Sequence, residues 1–190
     1  MQQIIISGVG GQGVLYVTRL LAEAALAQGR HILLSETHGM AQRGGNVISH
    51  LKVGGKSGPT ASQDLPVSHQ AAFEFTSPLI RPGRANILLA LHPDGIAAHS
   101  YYLRPDGRAY CNASDEGKCN FIDATGIASE LKSPVSANLV LLGFALGSGE
   151  LFCLPEEVER LLNSTGGKRM EINLAAFHAG LQRAAEKLSR

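Results

Sequence analysis

Residues 4–13 read IIISGVGGQG, and the reading of these ten positions decides the fold. Three consecutive isoleucines, Ile4 to Ile6, have the unbroken apolar character of a strand buried on both faces of a parallel sheet. Gly8, Gly10 and Gly13 follow in G-x-G-x-x-G spacing, the pattern of a turn that opens a helix. Beyond it Val14, Val17, Leu21 and Ala25 recur at helical intervals, with Arg19 and Glu23 on the other side and Gly29 as the stop. His31 to Ser35 is a second apolar strand, so a β-α-β unit is complete by residue 35.

Working outward, Glu36 to Gly45 (ETHGMAQRGG) reads as a loop and Asn46 to Val53 as a strand, followed by a Gly/Ser/Pro-rich connection. Asn86 to Leu91 is another buried strand, with a turn at His92–Gly95 and a short helix at Ile96–Ser100. The segment YYLRPDGRAYCN predicts a hairpin, with Pro105-Asp106-Gly107 as its turn. Phe121 to Ala124 is a further short strand. The last third is helical. Ala137 to Leu146 is apolar all round, as in a buried helix. Pro155-Glu156-Glu157 opens a helix with proline and acids at its positive end. Leu174, Phe177, Leu181, Ala184 and Leu188 form a stripe on a final helix. The expected fold class is α/β: a doubly wound, mostly parallel, Rossmann-like sheet, with an irregular insertion and a helical C-terminal third. No repeat or composition break divides residues 1–190, which read as one domain.

Composition narrows the function. With 190 residues and 44% hydrophobic content the chain can bury a substantial core. Lys and Arg number 17 against 16 Asp and Glu, so no bulk field favours nucleic acid or an anionic membrane. No apolar run approaches the roughly 20 residues of a membrane helix, and the N-terminus lacks a basic leader region. The expectation is a cytoplasmic protein without nucleic-acid or membrane partners. Cys111, Cys119 and Cys153 are odd in number and form no C-x-x-C. They argue against a disulfide framework, a zinc site or an iron–sulfur cluster held by this chain alone.

The glycine turn presents backbone N–H groups at a helix N-terminus, where phosphate or carboxylate is attracted. A dinucleotide site also wants an acid after the second strand, and Glu36 stands there. Two features oppose that use: Gln12 brings a long amide to a place where it would crowd a pyrophosphate, and THGMAQRGG follows Glu36 at once. The glycines serve equally well for close helix–strand packing with nothing bound. Thr37, His38, Gln42 and Arg43 gather four hydrogen-bonding side chains in the second loop, at the strand ends where such folds bind ligands. Arg43 has two readings, a bidentate grip on an anion or an ion pair with Glu36 that pins the loop. His38 is the candidate for proton transfer or contact with a carbonyl, against the plainer role of a surface histidine.

GVGGQGVL, ETHGMAQRGGNVISHLKVG and SANLVLLG, with INLAAFHAG near the end, together resemble the gamma-type domain of the 2-oxoacid:ferredoxin oxidoreductases. The likeness runs over nearly the whole chain and is nearest to the small subunit of the indolepyruvate branch. It implies an enzyme that oxidatively decarboxylates a 2-oxoacid on thiamine diphosphate and passes electrons through iron–sulfur clusters to ferredoxin, releasing an acyl-CoA. Thiamine diphosphate, magnesium and the clusters are expected in a large partner subunit, since no G-D-G…N motif or cluster cysteines occur here. The resemblance turns Gly10, Gly11, Gln12, Gly13, Glu36, Thr37, Gln42 and Arg43 toward the partner's active site, with coenzyme A as a ligand of that face. Which of them touches it is not carried by the motif. The chain should be inert alone. A stand-alone nucleotide-binding oxidoreductase and a purely structural subunit remain as alternatives.

Overall fold

In a computed structural model, which describes residues 1–38, 45–56, 77–114, 119–164 and 167–189, the isoleucine run is an inner strand of a six-stranded sheet. The strands are β1 (Gln2–Val9), β2 (Arg30–His38), β3 (Asn46–Lys56), β4 (Ala85–Ala90), β5 (Leu103–Asn112) and β6 (Asn120–Ile122), in the order β2-β3-β1-β4-β5-β6. β1, β4, β5 and β6 pair in parallel. β3 is antiparallel to both β1 and β2, so β2 runs in the same direction as β1. The sheet is therefore mostly parallel, as the strand composition indicates.

The helices are α1 (Val14–Ala27), α2 (Asp94–His99), α3 (Ala124–Glu130), α4 (Ala137–Gly147), α5 (Pro155–Ser164) and α6 (Gly167–Leu188). Ile4 and Ile6 face a large core built with α1, α4 and α6; Ile5 faces a smaller one with Ile80, Ala85 and Leu88, closed by Ile96 of α2 and Tyr102. The helical cover is thus uneven. α4 is buried from Asn138 to Leu146 because α6 crosses it at close range. A β-carbon at Gly143 would overlap the Phe177 carbonyl oxygen, and one at Gly180 the Val140 carbonyl oxygen. Glycine at both positions lets the two backbones meet, which explains a helix without a polar face. α5 is capped from inside its first turn: Glu157 accepts the Leu154 amide at 2.8 Å.

Three details of the sequence reading need correction. The Pro105-Asp106-Gly107 turn does not reverse the chain, because both flanking segments run parallel to β4 within one strand. The register jumps from Ala85↔Leu103 to Ile87↔Arg108, so the turn residues are accommodated as a bulge. Glu36 to His38 belong to β2 rather than to a loop. Leu188 ends the α6 stripe 70% exposed, beyond the reach of the core. Among the described residues no helix is long and apolar enough to cross a membrane.

Candidate functional site at the glycine turn

β1 delivers the glycine turn to the carboxyl end of the sheet, where the connections diverge. From β1 the chain passes through α1 toward β2 and β3 on one side, and it returns to β4 on the other. This divergence is where open α/β sheets form a crevice. Gly11 and Gly13 have φ of 95° and 82°, left-handed values that a side chain would strain. Gly13 is the N-cap of α1 and supplies no side-chain cap, and the first turn of α1 carries no acid. The turn is closed from within, as Gln12 N–H donates to the Val9 carbonyl at 3.1 Å. The Gln12 side-chain oxygen in turn accepts the Val9 amide at 2.9 Å.

Asn112, at the end of β5, ties three elements together. Its amide donates to the Leu91 carbonyl at 3.2 Å and to the Thr125 hydroxyl at 2.9 Å, while its oxygen accepts the Thr125 amide at 3.2 Å. Asp123 caps α3 by accepting the Gly126 amide at 2.8 Å. From α4, Asn138 reaches the turn although only 7% of it is exposed. Its oxygen accepts the Leu139 amide at 2.8 Å, and its Nδ2 stands where a Gly13 β-carbon would be.

The glycine turn, Asn112, Thr125 and Asn138 border a cavity of about 280 Å³ whose lining includes Gly11, Gln12 and Leu91. A second, of about 730 Å³, shares Val135 and Asn138 with it and extends between Tyr16 and the start of α6 at Arg169, Ile172 and Asn173. Asn173 donates to the Tyr16 hydroxyl at 3.4 Å. Burial, then the charge of Glu23, raises the pKa of that hydroxyl, while Arg169 and Asn173 pull it back. Val135, 80% exposed, stands between the two cavities. Together they make a groove with a polar floor, an open helix N-terminus and Arg169 at its rim.

The candidate residues named from sequence fall into two groups. Gly11 and Gln12 line the cavity, and Gly10 joins the second loop through its amide, which donates to the Gly45 carbonyl at 3.0 Å. Glu36 and Thr37 are exposed at the end of β2, opposite Ser49 and Ile48, and the His38 backbone pairs with Val47. β3 stands between them and β1, so two strand spacings, roughly 10 Å, separate them from the glycine turn. In a dinucleotide site the ribose acid comes from the strand beside β1, and here that place is taken by β3. Gln42 and Arg43 lie outside the described residues. Asn112, Thr125 and Asn138 were not singled out from the sequence. Asn138 alone left a signal, as the one polar side chain within Ala137–Gly147.

Among the described residues no group of three His, Cys, Asp or Glu side chains is placed to hold a metal ion. The arrangement suits an anionic or partner-borne group held by backbone amides and carboxamides.

Fold and crevice together describe a Rossmann-like module with a remodelled glycine turn, and comparison with known proteins assigns it. Residues 3–183 match the family model "Pyruvate ferredoxin/flavodoxin oxidoreductase", and the chain belongs to that family. It is 29% identical to the indolepyruvate oxidoreductase subunit IorB of Thermococcus kodakarensis, over 97% of this chain and 96% of that protein. Its fold is similar to the keto/oxoacid ferredoxin oxidoreductase gamma subunit of Geobacter sulfurreducens, with a TM-score of 0.70 at 22% identity over 98% of this chain and 99% of that one. It is similar also to a Magnetococcus marinus 2-oxoglutarate:ferredoxin oxidoreductase solved with 2-oxoglutarate, coenzyme A and succinyl-CoA. There the TM-score is 0.71 at 17% identity, over 97% of this chain and 31% of that one.

Proposed function

We propose that residues 1–190 act as one gamma-type domain, the small, non-autonomous subunit of a cytoplasmic 2-oxoacid:ferredoxin oxidoreductase whose substrate is indolepyruvate or another aryl pyruvate. The glycine-turn groove is its face toward the large subunit, on the coenzyme A side of the reaction. The large subunit carries thiamine diphosphate, magnesium and the iron–sulfur clusters, and ferredoxin is served through the complex.

The observation that carries this reading is the groove itself. It joins the uncapped N-terminus of α1 to a rim bearing an exposed valine and an arginine. Open amides and positive dipole suit the phosphates of coenzyme A, and the apolar rim suits a protein surface. The substrate class rests on likeness to the indolepyruvate subunits, and the coenzyme on the ligands named for the Magnetococcus enzyme. This chain's own contribution is binding and orientation: the Asn138 amide and the amides of the turn hold an anionic group while the groove walls exclude water. Glu36, Thr37 and His38, at the end of β2 and two strand spacings from the turn, contribute with Gln42 and Arg43 to the contact with the large subunit beside the groove.

The test is reconstitution with the large subunit. Reduction of a viologen dye by indolepyruvate should require both chains and coenzyme A. Asn138→Leu in the assembled complex should raise KM for coenzyme A more than it lowers kcat. Turnover by this chain alone would overturn the reading of a dependent subunit. A purely structural role is favoured by one observation, the Gln12 oxygen spent on the Val9 amide; an unchanged KM for coenzyme A would establish it.

A further inference from the structure

Two of the three cysteines meet. Cys111 lies near the end of β5 and Cys119 just before β6, and the two strands pair in parallel with Cys111 opposite Phe121. Cross-strand partners share a face, and side chains two positions apart along a strand return to the same face. Cys119, two positions before Phe121 and just outside β6, brings its thiol within hydrogen-bonding reach of the Cys111 thiol. Cys111 is buried, 1% exposed, whereas Cys119 is partly open to solvent. Only residues 112–118 lie between them, a short segment to close. Cys153 is buried elsewhere, beside the helix that begins at Pro155.

We propose that Cys111 and Cys119 form a reversible dithiol–disulfide pair, a redox modification site that responds to hydroperoxides. Cys119 is the entry point because solvent reaches it. Its thiolate attacks the peroxide, an S–O bond forms, the O–O bond breaks, and the departing alkoxide takes up a proton to leave as alcohol. The Cys111 sulfur then displaces hydroxide from the Cys119 sulfenic acid, and the proton lost by Cys111 converts that hydroxide to water. One disulfide forms, each sulfur has given up one electron, and the peroxide has been reduced by two. Burial, together with the neighbouring Cys119 thiol, pushes the Cys111 thiol up to about 12. Cys111 is therefore unreactive until the sulfenic acid stands beside it to accept its electrons. Thiols reverse the reaction by exchange at the more open sulfur.

The pair adjoins the candidate site without being part of it. Cys111 precedes Asn112, whose amide holds the Leu91 carbonyl and the Thr125 hydroxyl at the floor of the crevice. Bond formation at Cys111 acts on that strand end.

The full chain, reduced and then exposed to hydrogen peroxide without denaturant, should lose two hydrogen masses. Digestion should yield a peptide linking Cys111 to Cys119, and dithiothreitol should restore both thiols. Cys153 should be alkylated only after unfolding. Cys119→Ser should abolish the mass loss and leave Cys111 reduced. In Cys111→Ala the Cys119 sulfenic acid should persist long enough to be trapped by dimedone. The proposal fails if the wild-type chain keeps both thiols, if Cys119 proceeds to sulfinic acid with no linked peptide, or if the link joins two chains.

Discussion

Gly13 and Asn138, 125 positions apart in the chain, occupy adjoining space: a β-carbon on the glycine would overlap the asparagine Nδ2. The first glycine turn and the polar residue of a buried C-terminal helix are thereby parts of one crevice. Gly13 is constrained twice, by this neighbour and by its φ of 82°. Gly13→Ala should cost about 1–2 kcal/mol for the left-handed backbone alone, and more for the overlap. In an Asn138→Ala background the overlap disappears, so the same substitution should cost only the backbone part. Urea unfolding of the four variants measures the difference. Equal costs in both backgrounds would show that the two residues do not interact.

Acid should loosen the thinner face of the sheet. His50 is 3% exposed and its Nδ1 accepts the Ile80 amide at 3.2 Å, which requires an unprotonated nitrogen. Burial first, then His99 and Lys52, lowers its pKa below the ordinary histidine value. His99, on α2 and stacked near Tyr102, is also lowered, mainly by burial. The unfolded chain therefore binds these protons more readily than the folded one. Stability is full above about pH 6.5 and is lost as pH falls through that value toward the lowered folded pKa. His50→Asn keeps an acceptor but does not titrate, so its stability should fall less between pH 7 and pH 5. An unchanged acid slope would remove His50 from this account.

Nicotinamide and flavin dinucleotides should bind weakly. β3 separates Glu36 from the glycine turn, and the Gln12 side chain closes that turn on itself. Calorimetric titration of NAD, NADP and FAD should show no site near 1 µM, an affinity worth about 8 kcal/mol. Such a site would revive the stand-alone oxidoreductase.

Val135 should matter to assembly and not to folding. At 80% exposure it touches little of its own chain, and exposed substitutions away from special features usually change stability by about 0.5 kcal/mol or less. Val135→Asp should keep the melting temperature and lose co-purification with the large subunit. Retained assembly would move the interface elsewhere.

Arg43 is the informative residue of the second loop. Arg43→Lys keeps the charge and loses the planar fork. If Arg43 grips an anion, the assembled enzyme should lose about 1.5–3 kcal/mol in the affected step, roughly ten- to a hundred-fold, at an unchanged melting temperature. If it pairs with Glu36, Arg43→Lys and Glu36→Gln should both lower the melting temperature instead.

The chemistry of the turn was legible from local sequence: glycine at 11 and 13 permits the left-handed backbone, and an apolar strand before it with a periodic helix after it leaves little choice of layer. The run from Ala137 to Leu146 announced a buried helix by having no polar face. The Pro105-Asp106-Gly107 segment misled because turn chemistry is the same in a hairpin and in a bulge. Only the pairing of β5 with β4 on both sides of it selects the bulge.

The sequence by itself determined the strand and helix types, the family, and the glycine turn at the end of β1, because backbone preference and hydrophobic period are properties of neighbouring residues. Tertiary structure alone decided that β3 enters between β2 and β1, moving Glu36 away from the turn, and that Asn112, Thr125 and Asn138 complete the crevice. Strand order and the meeting of residues more than a hundred positions apart depend on how whole elements pack against one another. No local pattern encodes that outcome.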